Sequence, residues 1–600
     1  MTERNGSAGG GREPLEQANE FARMAAQSQR IVADFIARQQ KQGALEPQGP
    51  FDVGQAFIEM TQQMMSDPAR LVQAQMGLWE GYVKLWQHTA NRMMGAEADE
   101  PVVMPTPDDR RFRAAEWNEN HFYDFIKQSY LLTSNWFLST VHQNSGGLDE
   151  KSAQKLAFYT RQFVDAVSPT NFVLSNPTVL RETLDSGGEN LVQGLRNMLD
   201  DLERGGGNLD IRMTDTDAFE VGENLALTPG KVVLQNELMQ LIQYAPAGEA
   251  VYRRPLLVIA PWINKYYVLD LKPKNSFIRW AVAQGYTLFV ISWVNPDQRL
   301  ADKSFEDYMR LGPLAALDAI EQACGEKQVA ALGYCLGGTL LSAVLAYMAA
   351  RGDKRITSAT FLATLVDFEE PGELGVFIDE EQLASLEKTM HEKGYLDGRE
   401  MATTFNLLRA NDLIWSFVIN NYLMGKEPFP FDLLYWNSDS TRMPAKMHSF
   451  YLRKMYQQNA LVRPGGIELG GVPIDLSKIK VPTYIVAAHE DHIAPWQSCY
   501  KATALYSGKI RFVLGQSGHI AGIVNPPEAE KYGYWTGDLK AGESAEDWLA
   551  GAARNEGSWW RDWKSWQARR AGKKVAARQP GAGKLDIIED APGSYVKVKA

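Results

Sequence analysis

Six hundred residues, 45% hydrophobic and 22% charged, exceed what one hydrophobic core usually organises, so a large catalytic domain and a substantial second unit are expected. The composition excludes general disorder, a collagen-like repeat and a disulfide scaffold. A formal net charge of −11 spread along the chain excludes a general nucleic-acid binder, which needs clustered positive charge to release counterions.

Three cysteines, Cys324, Cys335 and Cys499, form an odd and sparse set that suits a reducing cytosol, so any functional thiol is expected to be free. The first twenty residues lack the apolar core of a secretory signal, and the sequence holds no apolar run long enough to span a bilayer. A cytoplasmic protein without a transmembrane segment is the expectation.

In chain order, Phe21, Met24, Ala25, Val32, Phe35 and Ile36 recur at helical spacing between Pro14 and Arg38. A Pro/Gly-rich break from Gly43 to Pro50 follows, then helical patterning from Val53 to Arg92 and a Pro-rich link from Pro101 to Pro107. Trp117, Phe122, Phe125, Tyr130 and Trp136 resume the helical spacing. Residues 1–104 therefore read as a variable helical extension and 105–240 as a helical N-terminal domain.

From 241 to 575 the texture changes to short apolar runs alternating with helical segments. Leu256–Ala260, Leu288–Ser292, Val329–Leu332, Ala359–Ala363, Tyr484–Ala488 and Ile510–Leu514 are continuous rather than alternating, as in strands buried on both faces of a parallel sheet. The fold class is α/β. Residues 367–471 interrupt the alternation, and this helix-compatible stretch rich in Trp, Tyr, Met and Asn reads as a cap closing over the ends of the strands. Trp559, Trp563 and Trp566 share a helical face that would dock on the parent domain. Residues 576–600 read as a loop-like tail, whose Gly581-Ala582-Gly583-Lys584 lacks the strand-loop-helix context of a phosphate cradle.

The chemistry concentrates in Gly333-Tyr334-Cys335-Leu336-Gly337-Gly338, which follows the run Val329–Leu332 and opens a helix at Thr339. A glycine-flanked nucleophile at a strand-to-helix turn is the nucleophile elbow of α/β-hydrolases, here with Cys for Ser. The helix N-terminus behind the thiol favours its anion. That fold orders its triad as nucleophile, acid, histidine, and the order is met by Asp491 after Tyr484–Ala488 and His519 after Ile510–Leu514. Glu490 is the alternative acid, and His492 reads as a pocket residue beside Asp491. The cluster His489-Glu490-Asp491-His492 has no further ligands at zinc-like spacing, so no metal is expected. Cys324 precedes the strand that Cys335 follows, and at about 3.3 Å per residue the two thiols would lie roughly 20 Å apart. Cys499 reads as packing. Backbone N–H groups of Leu336 and of Ile263, in Pro261-Trp262-Ile263-Asn264, are the expected oxyanion donors. A Cys thiolate attacking an acyl-thioester conserves the activated acyl group, so this site favours transfer over hydrolysis.

These blocks, with Lys265-Tyr266-Tyr267, Ser292-Trp293-Val294-Asn295-Pro296-Asp297, Ser517-Gly518-His519-Ile520-Ala521-Gly522, Asp109-Arg110-Arg111-Phe112 and Gly557-Ser558-Trp559-Trp560, resemble the polyhydroxyalkanoate synthases between about residues 105 and 570. The single-chain layout is most similar to the class I enzymes. The resemblance implies an α/β-hydrolase-fold acyltransferase that polymerises short (R)-3-hydroxyacyl-CoA units, such as 3-hydroxybutyryl-CoA, and releases CoA. It implies that Cys335 holds the growing chain, that His519 activates the thiol, and that Asp491 assists His519 or activates the incoming hydroxyl. Arg409 and Trp436 would line the CoA or product path. No cofactor is implied, CoA being part of the substrate and a released product. A homodimer on polyester granules is implied, with granule-associated proteins as further partners; the elongated, Gly-rich N-terminus departs from the family pattern. Two other readings use the same features: a thioesterase or polyester depolymerase, and a non-catalytic granule coat.

Overall fold

Side-chain caps start three of the helices of the first part of the chain in the computed structural model, which describes residues 68–95, 100–145 and 148–600. The helical segment expected from Pro14 to Arg38 lies outside the described residues, as does the start of the one from Val53. The helices are α1 (Pro68–Met93), α2 (His121–Asn144), α3 (Glu150–Ala166), α4 (Pro177–Asp185) and α5 (Glu189–Arg204). Asn120 accepts from the N–H groups of Phe122 and Tyr123, Asp149 from Ser152, and Asn176 from Thr178 and Val179, meeting donors that a helix start leaves unpaired. Pro177 sits at the first turn of α4, where its missing N–H costs nothing.

These helices belong to one of two compact units, formed by residues up to Asp215 together with Arg409–Phe429; the other holds Thr216–Leu408 and Pro430–Ala600. The segment 409–429 was expected to be part of the cap but completes the helical unit. It contributes two π-helical turns, Asn411–Trp415 and Val418–Leu423. Asn190 and Asn197 of α5 donate to the carbonyls of Leu423 (2.7 Å) and Asn421 (3.0 Å), and the Tyr422 hydroxyl donates to Asp201 (2.7 Å). Gly194 permits the contact, because a Cβ there would stand 1.7 Å from the Tyr422 carbonyl oxygen.

The second unit is built on an eleven-stranded sheet. Its strands are β1 (Gly230–Gln235), β2 (Met239–Tyr244), β3 (Leu256–Ile259), β4 (Leu288–Trp293), β5 (Val329–Tyr334), β6 (Ile356–Leu362), β7 (Thr483–Ala488), β8 (Ile510–Gly515), β9 (Gly533–Thr536), β10 (Ala553–Glu556) and β11 (Glu589–Asp590). The spatial order is β10-β9-β8-β7-β6-β5-β3-β4-β2-β1-β11. The six strands read from apolar runs form its centre and pair in parallel, while the flanking strands pair antiparallel. All four residues of β3 are fully buried, as expected where helices cover both faces.

Two boundaries differ from the sequence reading. β1 and the start of β2 lie within the span 105–240 read as helical, because their antiparallel edge carries too short a pattern to stand out. The tail 576–600 is not loop alone: β11 pairs with β1, Lys574–Ala576 pairs with Ala250–Tyr252 and Val596 is buried. The rest of the cap includes α6 (Glu380–Lys393), α7 (Gly398–Leu408), α8 (Asp432–Ser438) and α9 (Ala445–Tyr451). Met443, Met447, Tyr451 and Met455 share one apolar core with the sheet and with Leu336, so these cap residues are closed onto the sheet.

Candidate active site

Cys335 stands between β5 and the helix Leu336–Ala350 with φ 51° and ψ −120°, a strained conformation that only a sharp turn imposes on a side-chain-bearing residue. The residues two before and two after it must be glycine. A Cβ on Gly333 would come within 2.5 Å of the Gly338 Cα, and one on Gly337 within 2.0 Å of the Ile259 carbonyl oxygen. The second contact also shows that the elbow abuts the end of β3, whose loop carries Ile263. The first turn of the helix leaves the Leu336 N–H without an intrahelical acceptor.

Asp491 and His519 arrive from the ends of β7 and β8. Their loops are joined by backbone bonds from Glu490 N to Ser517 O (2.9 Å) and from His489 N to Gly515 O (2.8 Å). Asp491 presents one oxygen to the N–H groups of Ile493 and Ala494, both at 2.9 Å, and the other to His519 Nδ1 at 2.6 Å. Burial alone would lower the pKa of His519. The charges of Asp491 and Cys335, and hydrogen bonds to both side chains, instead raise it well above the ordinary histidine value. Asp491 therefore holds the His519 imidazole through Nδ1, and Cys335 stands close enough for its charge to act on the same ring.

An aromatic shell surrounds this group. The Tyr334 ring stacks on His519 with centroids 5.6 Å apart, and its hydroxyl donates to the His519 carbonyl at 3.2 Å. Tyr451 and Tyr456 of the cap are close enough to Cys335 for its charge to help raise their hydroxyl pKa values, after burial. Tyr451 packs edge-on against Trp262, Phe368 and Tyr456. These tyrosines were not singled out in the sequence, because a cap aromatic carries no local motif.

The remaining expected residues are placed differently. Trp436 is buried, with its indole N–H donating to the Lys265 carbonyl at 2.7 Å, so in this conformation it anchors the loop after β3 instead of lining an open path. Arg409 falls in the helical unit, half-exposed and ion-paired with Asp412 at 2.5 Å. His492 follows Asp491 in its loop and is partly buried. His489 turns away from that loop's acid to pack against Trp496 and Trp535, and among the described residues no group of three or more His, Cys, Asp or Glu could hold a metal ion. Cys324 ends a helix, with its thiol donating to the Ile320 carbonyl. Cys499 is buried, and burial followed by the charges of Asp491 and Cys335 pushes its thiol pKa well up, which suits the packing role expected of it.

A mostly parallel sheet with an elbow cysteine and a loop-borne His–Asp pair defines an α/β-hydrolase-fold protein. Residues 274–526 match the α/β hydrolase fold family, and residues 108–281 match the N-terminus of poly-beta-hydroxybutyrate polymerase (PhaC). The chain is 51% identical to the poly(3-hydroxyalkanoate) polymerase of Methylorubrum extorquens, over 93% of each protein. It is 49% identical to the poly(3-hydroxyalkanoate) polymerase subunit PhaC of Rhizobium meliloti (strain 1021), covering 92% of this chain and 89% of the relative. With the corresponding subunit of Cupriavidus necator the identity is 44%, over 89% of both. The chain belongs to the poly(3-hydroxyalkanoate) polymerase family.

Proposed function

We propose that this chain polymerises short (R)-3-hydroxyacyl-CoA units, of the 3-hydroxybutyryl kind, into a polyester through a thioester on Cys335. The observation that carries this reading is a thiol at a strained elbow beside an imidazole held 2.6 Å from a buried carboxylate. Full-length relatives named as polymerases support polymerisation over hydrolysis.

With Nδ1 committed to Asp491, Nε2 of His519 is the nitrogen left to take the thiol proton. The thiolate attacks the thioester carbonyl, and the oxyanion falls to the N–H groups of Leu336 and Ile263. CoA leaves with the proton that His519 returns, and the acyl group stays activated on sulfur. His519 then removes a proton from the 3-hydroxyl of an incoming 3-hydroxyacyl-CoA, whose oxygen attacks the Cys335 thioester. The ester bond forms as the carbon–sulfur bond breaks, Cys335 recovers the proton from His519, and the lengthened chain stays on CoA until the Cys335 thiolate takes it back by the same exchange. Both oxygens of Asp491 are already engaged, which supports action through His519 over direct deprotonation of the hydroxyl. The closed cap and its tyrosines support exclusion of water, which would otherwise release free acid. The reading needs no cofactor. The family likeness also favours a homodimer at the surface of a cytoplasmic polyester granule.

Incubation with 3-hydroxybutyryl-CoA tests it. Insoluble polymer should accumulate in step with CoA release, and Cys335→Ala should abolish both. Free acid in stoichiometric amount would make the protein a thioesterase, and unchanged release by the variant would remove the thiol from the chemistry.

A further inference from the structure

The loop after β3 is fastened to the cap residue by residue. The Thr441 hydroxyl donates to the Trp262 carbonyl at 2.8 Å, Asn264 forms an isolated antiparallel bridge with Ser440, and the Lys265 ammonium meets Asp439 at 2.6 Å. The other oxygen of Asp439 accepts from the Tyr267 hydroxyl at 2.8 Å, and the Trp436 indole holds the Lys265 carbonyl at 2.7 Å. Thr441, Lys265 and Asp439 are all buried.

The first of these contacts acts on the peptide unit that matters. Trp262 C=O and Ile263 N–H are the two ends of one planar trans amide, so a hydrogen bond that fixes the carbonyl also fixes, in the opposite direction, where the N–H points. A free loop amide can rotate between alternatives; one whose carbonyl is held by a buried hydroxyl cannot do so without leaving that oxygen unpaired. The neighbouring ion pair is not explained by stability alone. Desolvating two charges costs as much as their attraction returns in many proteins, whereas leaving one of them alone is strongly unfavourable. What the pair does secure is a single register between 262–267 and 436–441.

We propose that Thr441 is a positioning residue of the acyl-transfer reaction: its hydroxyl aims the Ile263 N–H at the developing oxyanion, and the Lys265–Asp439 pair holds Thr441 in register. The inference rests on the reading of Cys335 as the nucleophile, and it makes this part of the cap a component of the oxyanion hole as well as a cover. A cap that lifted here would disarm the site before exposing the thioester to water.

The test separates two reactions of one thiol. Attack on an acyl-CoA passes through an oxyanion, whereas alkylation by iodoacetamide displaces iodide at a saturated carbon and forms none. In the full-length protein, Thr441→Val should slow acylation by 3-hydroxybutyryl-CoA about 10- to 100-fold, less than the roughly 100- to 1,000-fold seen on losing an oxyanion donor outright, because the N–H remains and only its aim is lost. KM should change little, since the interaction is made in the transition state. Alkylation of Cys335 by iodoacetamide should keep its native rate, and Thr441→Ser, which retains the hydroxyl, should restore acylation. Expressing every rate per alkylatable Cys335 removes any contribution from misfolded protein, and Asp439→Asn gives a second variant in which acylation should again fall while alkylation does not. Native acylation in Thr441→Val, or a parallel fall in both reactions, overturns the proposal. Failure of the underlying reading looks different: iodoacetamide on Cys335 would then leave turnover in the unmodified sequence intact.

Discussion

At Asp270 burial and hydrogen bonding oppose each other. The side chain accepts from the Thr228 hydroxyl (2.6 Å) and N–H (3.2 Å) and from the Ser276 hydroxyl (2.5 Å), tying the segment before β1 to the loop after β3. Burial raises its pKa and these bonds lower it, with a result of about 6. The folded protein thus binds this proton more tightly than the unfolded chain, where aspartate titrates near 3.9. The corresponding stabilisation, about 3 kcal/mol, is complete below about pH 4 and is lost as pH rises through about 6. Asp270→Asn cannot titrate. It is predicted to lower the thermal midpoint by an amount that shrinks as pH rises from about 4 to 7, and midpoints of both proteins across that window check it. A gap that stays constant contradicts the assignment. The titrating groups legible in the sequence were those inside motifs, Cys335, Asp491 and His519. Asp270 sits in no such motif, since its hydrogen bonds come from partners at 228 and 276.

Among the elements, the helix Trp560–Ala568 explains why the His519 loop keeps its shape. Trp559 and Trp560 donate their indole N–H groups to the carbonyls of Gly522 (3.0 Å) and Ile523 (2.9 Å), and Trp563 donates to the Thr360 hydroxyl (2.9 Å). Trp560→Phe keeps most of the ring and removes one donor, so it is predicted to cost about 1–3 kcal/mol. Turnover should fall with little change in KM if the loop loosens. Urea unfolding and steady-state kinetics on the same preparation check both halves, and an unchanged unfolding midpoint contradicts the first. The docking face was readable as Trp559, Trp563 and Trp566, since a helix returns side chains to one side every three or four residues. Trp560 escaped that pattern because Trp559 is the N-cap and the helix begins one residue later. Central strands were legible for a similar reason: continuous apolar runs report burial on both faces. The edge strand β10, Ala-Arg-Asn-Glu, is polar and mostly exposed, as edges must be to resist pairing with other chains, so nothing in its composition announces a strand.

For the whole molecule, the order nucleophile, acid, histidine predicts a meeting of residues far apart along the chain; Asp491 and His519, 28 positions apart, are hydrogen-bonded, and the charge of Cys335, 156 positions before Asp491, acts on the same imidazole. What the linear pattern did not carry was the path of the insertion 367–471. Its middle, 409–429, completes the helical unit through Asn190, Asn197 and Asp201, and its end fastens the loop bearing Ile263. Both depend on partners far away in sequence that no local periodicity encodes. The common requirement of both parts of the account is an acyl group carried on sulfur. Rapid quenching after mixing the full-length protein with 3-hydroxybutyryl-CoA, followed by peptide mass spectrometry, reads this directly. The account predicts a hydroxylamine-labile 3-hydroxybutyryl adduct on the peptide containing Cys335, absent from Cys335→Ala. Polymer formation with the acyl group on any other residue, or with no adduct on Cys335 at any time, would contradict it.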